Sequence, residues 1–202
     1  MKLSKYLAVA ILSLVSVGAQ ATNLVSNASF EANPMGAGQW GAFNSLTNWT
    51  STNKVELRNG VAGAAQDGFN FVELDVNGNS SISQTIFGTG WVDLSFWYSA
   101  RPNTNATTND LNVSFGDFTD TLLHNVGNNT SAHLWQQFTQ RIDLGYSGSA
   151  VLTFAAAGVS DSVGASLDNI TVNAVPEPGT PLMVLTGLGL LAAVNKRRSN
   201  KR

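Results

Sequence analysis

Short runs of alternating apolar and polar residues recur along the middle of this chain, and they limit its possible folds more than any other feature. Val72, Leu74 and Val76 alternate with Glu73 and Asp75, which puts the apolar side chains on one face of a β-strand. Similar runs are found at 82–86, 92–98, 111–115, 138–142, 151–154 and 170–172. Because no stretch between them has a helical period, the sequence predicts an all-β fold, an antiparallel β-sandwich of the jelly-roll type.

The N-terminus has the order of a secretory signal peptide. The first five residues contain two lysines, the stretch 6–17 is mostly apolar, and Ala19-Gln20-Ala21 follows. Charged, apolar and small-residue segments in this order predict cleavage after Ala21, so that the mature chain begins at Thr22. The alternative is a first transmembrane anchor, but the apolar stretch is shorter than the roughly 20 residues that such an anchor needs.

The C-terminus carries a second apolar segment, bounded by prolines and by basic residues. Pro176-Glu177-Pro178 comes first, residues 179–194 are uncharged, and five Lys and Arg lie within 195–202. As a helix, the uncharged segment would be about 24 Å long, shorter than the roughly 30 Å hydrocarbon core. A single hydrophobic helix at about 179–194 is therefore predicted to hold the chain in the membrane temporarily, with the basic tail in the cytoplasm.

This C-terminal segment resembles the PEP-CTERM sorting signal of Gram-negative bacteria that make extracellular polysaccharide. Pro176, Glu177 and Pro178 form the signature tripeptide. The resemblance implies an exosortase as the processing partner, a membrane enzyme that cuts near the motif and releases or transfers the protein outward. The alternative is an ordinary single-pass anchor with a proline-rich stalk.

The composition of the domain between the two signals excludes several functions. Residues 22–175 contain twelve Asp and Glu but only four Lys and Arg, so their net charge is near −8. So few basic residues cannot neutralise a phosphate backbone, and no nucleic-acid partner is expected. Since the chain has no cysteine, it has neither disulfides nor thiol chemistry. The predicted boundaries are 1–21 for the signal peptide, 22–174 for the β-sandwich domain and 175–202 for the sorting signal.

Several segments of this domain resemble galactose-binding-like and carbohydrate-binding jelly rolls. The mature chain opens with Asn23-Leu24-Val25-Ser26-Asn27-Ala28-Ser29-Phe30-Glu31, like their N-L-V-x-N-x-x-F-E strand, and Leu167-Asp168-Asn169-Ile170-Thr171-Val172 is similar to their last strand. The resemblance implies that Glu31 and Asp168 meet and help to hold a structural calcium ion. The alternative is that both carboxylates accept hydrogen bonds from backbone amides or lie exposed at the edge.

Sugar binding usually needs an aromatic platform with polar groups beside it, and three residues are candidates. Trp97 lies on the strand face opposite Phe96, Arg101 follows the end of that strand, and Trp135 precedes a later strand. In the alternative interpretation, the tryptophans cover the sandwich and Arg101 pairs with a nearby acid.

No catalytic motif is evident in the sequence. His124 and His133 have no third ligand at a metal-binding spacing, and there is no G-x-S-x-G, Walker or H-E-x-x-H motif. Paired carboxylates would have to come from residues distant in sequence, with Glu56, Glu73, Asp75 and Asp93 as candidates. The chain is therefore not expected to be an enzyme.

These features together predict an exported surface or matrix protein of a Gram-negative bacterium. Its jelly-roll domain is expected to bind extracellular polysaccharide in a biofilm, and its C-terminal helix is expected to contact the inner membrane before processing. Two other functions stay open, a purely structural matrix protein without a sugar site and a weak polysaccharide hydrolase.

Overall fold

The computed structural model describes residues 22–176, 187–189 and 191. Ten strands are present: β1 (Gln39–Leu46), β2 (Trp49–Asn59), β3 (Asn70–Glu73), β4 (Ser81–Phe87), β5 (Trp91–Ser99), β6 (Leu111–Phe115), β7 (Phe118–Leu122), β8 (Gln136–Asp143), β9 (Ser149–Ala156) and β10 (Ser166–Ala174). The predicted signal peptide, residues 1–21, lies outside the described residues.

All strand pairs are antiparallel, and they form two layers that β2 connects. The first layer, sheet I, contains β1, the second half of β2, β3, β10, β5 and β8, while sheet II contains β4, β9, β6 and β7. Thr50 and Ser51 at the start of β2 pair with β4, whereas Glu56 to Asn59 pair with β3. From β3 to β6 and from β8 to β10, successive strands alternate between the two sheets, as in a jelly roll. The fold prediction is confirmed.

The core lies between the sheets and is formed by the apolar positions of the alternating runs. In β5, Val92, Leu94 and Phe96 are fully buried. Phe96 of sheet I meets Phe154 of sheet II edge-on, with ring centroids 4.8 Å apart. The core residues extend from Val25 to Val172, so residues 22–176 contain this core and are expected to fold without the flanking segments.

The chain leaves sheet I at the end of β10. Residues 187–189 and 191 are helical, within the predicted hydrophobic helix, and the other residues of 177–202 lie outside the described part. No helix in the described part of the chain is long and apolar enough to cross a membrane.

Candidate functional site

The outer face of sheet I is partly covered by the connection between β2 and β3, residues 60–69, here called the covering loop. Asp168 in β10 holds this loop, since its Oδ2 accepts hydrogen bonds from the backbone N–H groups of Gln66 at 2.8 Å and Asp67 at 2.9 Å. Asp168 is fully buried, and burial raises its pKa to about 7, although these amides and that of Asn169 favour the charged form.

Glu31 holds the other end of the covering loop. Its Oε1 accepts hydrogen bonds from the N–H groups of Phe69 at 2.8 Å and Asn70 at 2.7 Å. Gly68 has a φ of +64°, and a Cβ atom there would lie 2.6 Å from Glu31 Oε1. A glycine is therefore needed at position 68, both for the backbone conformation and for the approach of the carboxylate.

The two carboxylates predicted to hold calcium thus both bind the covering loop through backbone amides. This geometry matches the alternative given by the sequence. The oxygens of Asp168 face N–H groups, which carry positive partial charge and are not calcium ligands. Residues 22–176 also contain no cluster of three or more Asp, Glu, His or Cys side chains that would hold a metal. The arrangement as described does not fit an ion, and calcium at Glu31 and Asp168 stays a prediction.

A surface depression of about 390 Å³ lies beside the anchored end of the loop. Seven residues line it: Glu31, Pro34, Met35, Gly36, Asn59, Phe69 and Asn70. Phe69 leaves 71% of its surface exposed, and Glu31 is exposed and accepts hydrogen bonds from described residues through Oε1 only. An exposed aromatic ring beside an exposed carboxylate oxygen is an arrangement that can bind a polyhydroxylated ligand.

Arg101 contacts an acidic side chain, as the alternative interpretation of the sequence expects. Its Nη1 donates to Glu73 Oε1 at 2.9 Å and to the carbonyl oxygen of Ser162 at 3.3 Å. Glu73 is fully buried and also lies 3.2 Å from Arg58 Nη2, which binds Glu56 as well. Burial raises the pKa of Glu73 to about 7, and the two arginines oppose that rise.

Trp135 is likewise held by intramolecular contacts. Its Nε1 donates to the carbonyl oxygen of Ala64 in the covering loop at 3.1 Å. Its ring stacks on His133, with centroids 4.7 Å apart, and meets Phe71 edge-on. Burial lowers the pKa of His133 to about 4, so this imidazole is neutral at pH 7.

Trp97 lies half-buried on the outer face of sheet I, as alternation predicts. Asp168 in β10 and Gln137 in β8 are its direct partners in the neighbouring strands. Trp97 is therefore next to the strand residue that holds the covering loop, whereas Arg101 and Trp135 take part in ion pairing and loop attachment. Ligand binding by these three residues stays a prediction.

The carboxylate candidates for catalysis are buried or paired, and Asp75 is one of the fully buried ones. Glu56 and Glu73 face each other across β2 and β3, but 5% and 0% of their surfaces are exposed, so a substrate cannot reach them. Asp93 is paired with Arg141 on the surface. His124 binds Asp110 in a different loop from His133. These residues do not form a catalytic group in the described structure.

Comparison with known proteins identifies the C-terminal segment. Residues 174–198 match the PEP-CTERM protein-sorting motif, which confirms the sorting prediction. The chain is thus an exported protein that an exosortase sorts. Pro176 lies just after β10, while Glu177 and Pro178 lie outside the described residues. No curated protein matches the chain.

Solved structures with a similar fold include carbohydrate-binding modules. TmCBM61 in complex with β-1,4-galactotriose has 16% identity and a TM-score of 0.47, with 75% of this chain and 98% of that chain covered. CBM35 from Paenibacillus barcinonensis has 21% identity and a TM-score of 0.43, covering 68% and 100%. The exo-β-1,3-galactanase of Phanerochaete chrysosporium has 17% identity and a TM-score of 0.39, covering 68% of this chain and 29% of that enzyme.

Proposed function

We propose that the β-sandwich domain of this sorted protein binds polysaccharide in the extracellular matrix or biofilm, and that the depression beside Phe69 is its sugar-binding site. The observation that carries the proposal is the exposed Phe69 ring, 71% accessible, on a loop that Glu31 and Asp168 fix in place. A fixed loop loses little conformational entropy when it binds, so an aromatic ring on it is a preorganised platform.

The polar groups around the depression suit the hydroxyl groups of a sugar. Glu31 Oε1 accepts two backbone hydrogen bonds, and its second oxygen accepts none among the described residues. A sugar hydroxyl can donate a hydrogen bond to this second oxygen of Glu31, while the C–H face of the sugar ring packs on Phe69.

Binding isotherms on residues 22–176 with neutral polysaccharides of the producing organism test this proposal. Phe69→Ala should weaken binding, because burying roughly 60–100 Å² of the ring contributes about 1.5–2.5 kcal/mol, near a tenfold to seventyfold change in Kd. Phe87 offers a matched control, since it is exposed to the same degree, 73%, on β4. Equal isotherms for Phe69→Ala and the wild type would remove the depression as the site.

A second variant tests the carboxylate of Glu31 as a hydrogen-bond acceptor in the same depression. Glu31→Gln keeps one oxygen for the loop amides but removes the charge, so it should reduce affinity while the melting temperature changes little. If no polysaccharide binds the wild type, the domain is better explained as a structural matrix component. Release of reducing sugar from any of these polysaccharides would instead support the hydrolase alternative.

A further inference from the structure

Three exposed aromatic residues lie at the end of the sandwich from which the chain leaves β10. The residues Phe87, Trp91 and Tyr146 are 73%, 50% and 100% exposed. Phe87 ends β4, Trp91 begins β5, and Tyr146 lies in the turn between β8 and β9. We call this surface the exit end. Phe87 follows the buried Ile86 of sheet II and Trp91 precedes the buried Val92 of sheet I, so their side chains lie on the outer sides of the two sheets at this one end.

Backbone hydrogen bonds hold the turns of the exit end together. Gly88 N–H donates to the carbonyl oxygen of Gly148 at 3.0 Å, and Gly90 N–H donates to that of Gly145 at 2.8 Å. The N–H of Val175 donates to the carbonyl oxygen of Trp91 at 2.9 Å. The start of the sorting segment is thus attached directly to one of the aromatic positions.

The distance from this attachment to the apolar segment is short. Residue 179 follows Val175 by four residues, and an extended chain of that length spans at most about 14 Å. The headgroup region on each side of a bilayer is roughly 5–8 Å thick. If residues 179–194 are in the membrane, Val175 at the exit end lies within about 14 Å of the hydrocarbon core, and so no more than about 9 Å beyond the headgroup layer.

We infer that the exit end rests on the bilayer surface of the unprocessed protein, with Phe87, Trp91 and Tyr146 in the headgroup layer. Trp and Tyr side chains are enriched in this layer because their rings are amphipathic, and Phe87 adds apolar surface beside them. The contact also gives the Pro-Glu-Pro motif a fixed height above the membrane, where a membrane-embedded processing enzyme can reach it. The inference rests on the sorting function and on membrane insertion of the segment 179–194, and is independent of sugar binding.

Charge does not drive this contact. The exit end carries Asp117 and Asp143 beside Leu144, and the nearest arginine along β8, Arg141, is paired with Asp93. Anionic lipids should therefore not strengthen the contact, unlike the binding of basic membrane proteins. The aromatic surface is the part that fits a lipid partner.

The absence of cysteine from the chain allows one fluorescent label at a chosen position of the full-length protein in phosphatidylcholine vesicles. Asp117→Cys places the label at the exit end, and Asn77→Cys places it at the opposite end, between β3 and β4. A headgroup-attached quencher should reduce the emission of the first label strongly and that of the second little. Equal quenching at both positions, or none at either, would overturn the inference.

A set of substitutions tests the aromatic side chains themselves. Replacing Phe87, Trp91 and Tyr146 together by Ala should reduce quenching of the exit-end label and slow processing in cells. The control Trp40→Ala/Leu134→Ala removes two other exposed apolar side chains and should change neither. Flotation of the full chain with vesicles is measured first. If the full chain does not float with vesicles, residues 179–194 do not insert, and both membrane insertion and the aromatic contact are rejected. If the chain floats but the aromatic variant keeps full quenching, only the aromatic contact is rejected.

Discussion

Arg58 is the residue whose removal should affect the stability of this domain most sharply. Its guanidinium is 4% exposed and contacts two carboxylates that are also buried, Glu56 and Glu73. Arg58→Met keeps most of the side-chain volume but leaves these acids without one of their cations. Only Arg101 then remains beside Glu73, at 2.9 Å.

The expected cost follows from the burial of the partners. Removing one member of a buried ion pair costs roughly 3–5 kcal/mol, because the remaining charge stays in a poorly solvated place. A domain of this size loses about 2–4 °C of melting temperature per kcal/mol, so Arg58→Met should lower Tm by about 6–20 °C. Arg141→Met is the matched control, since Arg141 and Asp93 are 57% and 39% exposed and such pairs contribute at most about 1 kcal/mol.

The loss of stability caused by Arg58→Met should also depend on pH. Burial already raises the pKa of Glu73 to about 7, and removing Arg58 should raise it further. A carboxyl group with a raised pKa in the folded state is most favourable at low pH and destabilises the protein as pH rises through that pKa. The difference between Arg58→Met and the wild type should therefore be largest above pH 7 and shrink towards pH 5, and adding Glu73→Gln should recover part of it.

Urea unfolding at pH 5 and pH 8 measures these differences directly. Arg58→Met should lower the free energy of unfolding more than Arg141→Met at pH 8, and more at pH 8 than at pH 5. Equal losses in either comparison would show that the buried ion pairs of Arg58 do not stabilise the domain as described.

Three further predictions concern other parts of the chain. Replacing residues 176–178 by alanine should leave export intact but block processing, so that an unprocessed membrane form accumulates on immunoblots; normal processing would contradict the sorting role. Trp97→Ala should lower the free energy of unfolding by about 1–2 kcal/mol, since Trp97 is half-buried on an outer face, and a loss of roughly 3–5 kcal/mol in melting experiments would place it in the core instead. Burial lowers the pKa of His133 to about 4, so its neutral form should stabilise the domain above pH 6.5, and this stability should be lost as pH falls through 4. The free energy of unfolding should change by up to about 1.4 kcal/mol per pH unit in that range. In urea unfolding, His133→Gln should reduce this pH dependence between pH 4 and 6.5, and an unchanged dependence would contradict the prediction.

The fold could be predicted because its signal is local. A two-residue period needs only the residues of one strand, and Leu94 and Phe96 are buried while Trp97 is turned outward, as the alternation in β5 predicts. The resemblance to carbohydrate-binding jelly rolls implied that Glu31 and Asp168 meet, and the structure attaches both to the covering loop. The sequence left calcium and backbone amides open as their partners, because the choice depends on where the N–H groups of a ten-residue loop point.

Phe69 was missed for a related reason. It directly follows the stretch Gln66-Asp67-Gly68 and belongs to no periodic run. Only its exposure in the folded chain indicates that it could contact a ligand. The one available signal was an aromatic residue directly after a glycine in such a stretch. The exit end could not be predicted from the sequence either. Phe87 and Tyr146 are distant in sequence, and only the pairing of Phe87 with Ser149 brings their turns together.

The distribution of charge also limits which polysaccharides the domain can bind. Of the four basic residues in 22–175, Arg58 and Arg101 contact buried Glu73 and Arg141 pairs with Asp93, so Lys54 alone lies outside the ion pairs described. Half of the twelve acidic residues are exposed and outside these pairs, namely Glu31, Asp67, Asp117, Asp120, Asp143 and Asp161. They give the surface a negative potential, which repels acidic polysaccharides at low ionic strength. For the proposed sugar-binding function, neutral glycans are therefore the expected ligands. Their affinity should change little between low salt and 0.5 M NaCl, whereas binding that strengthens as salt is removed would show that cationic groups carry the recognition.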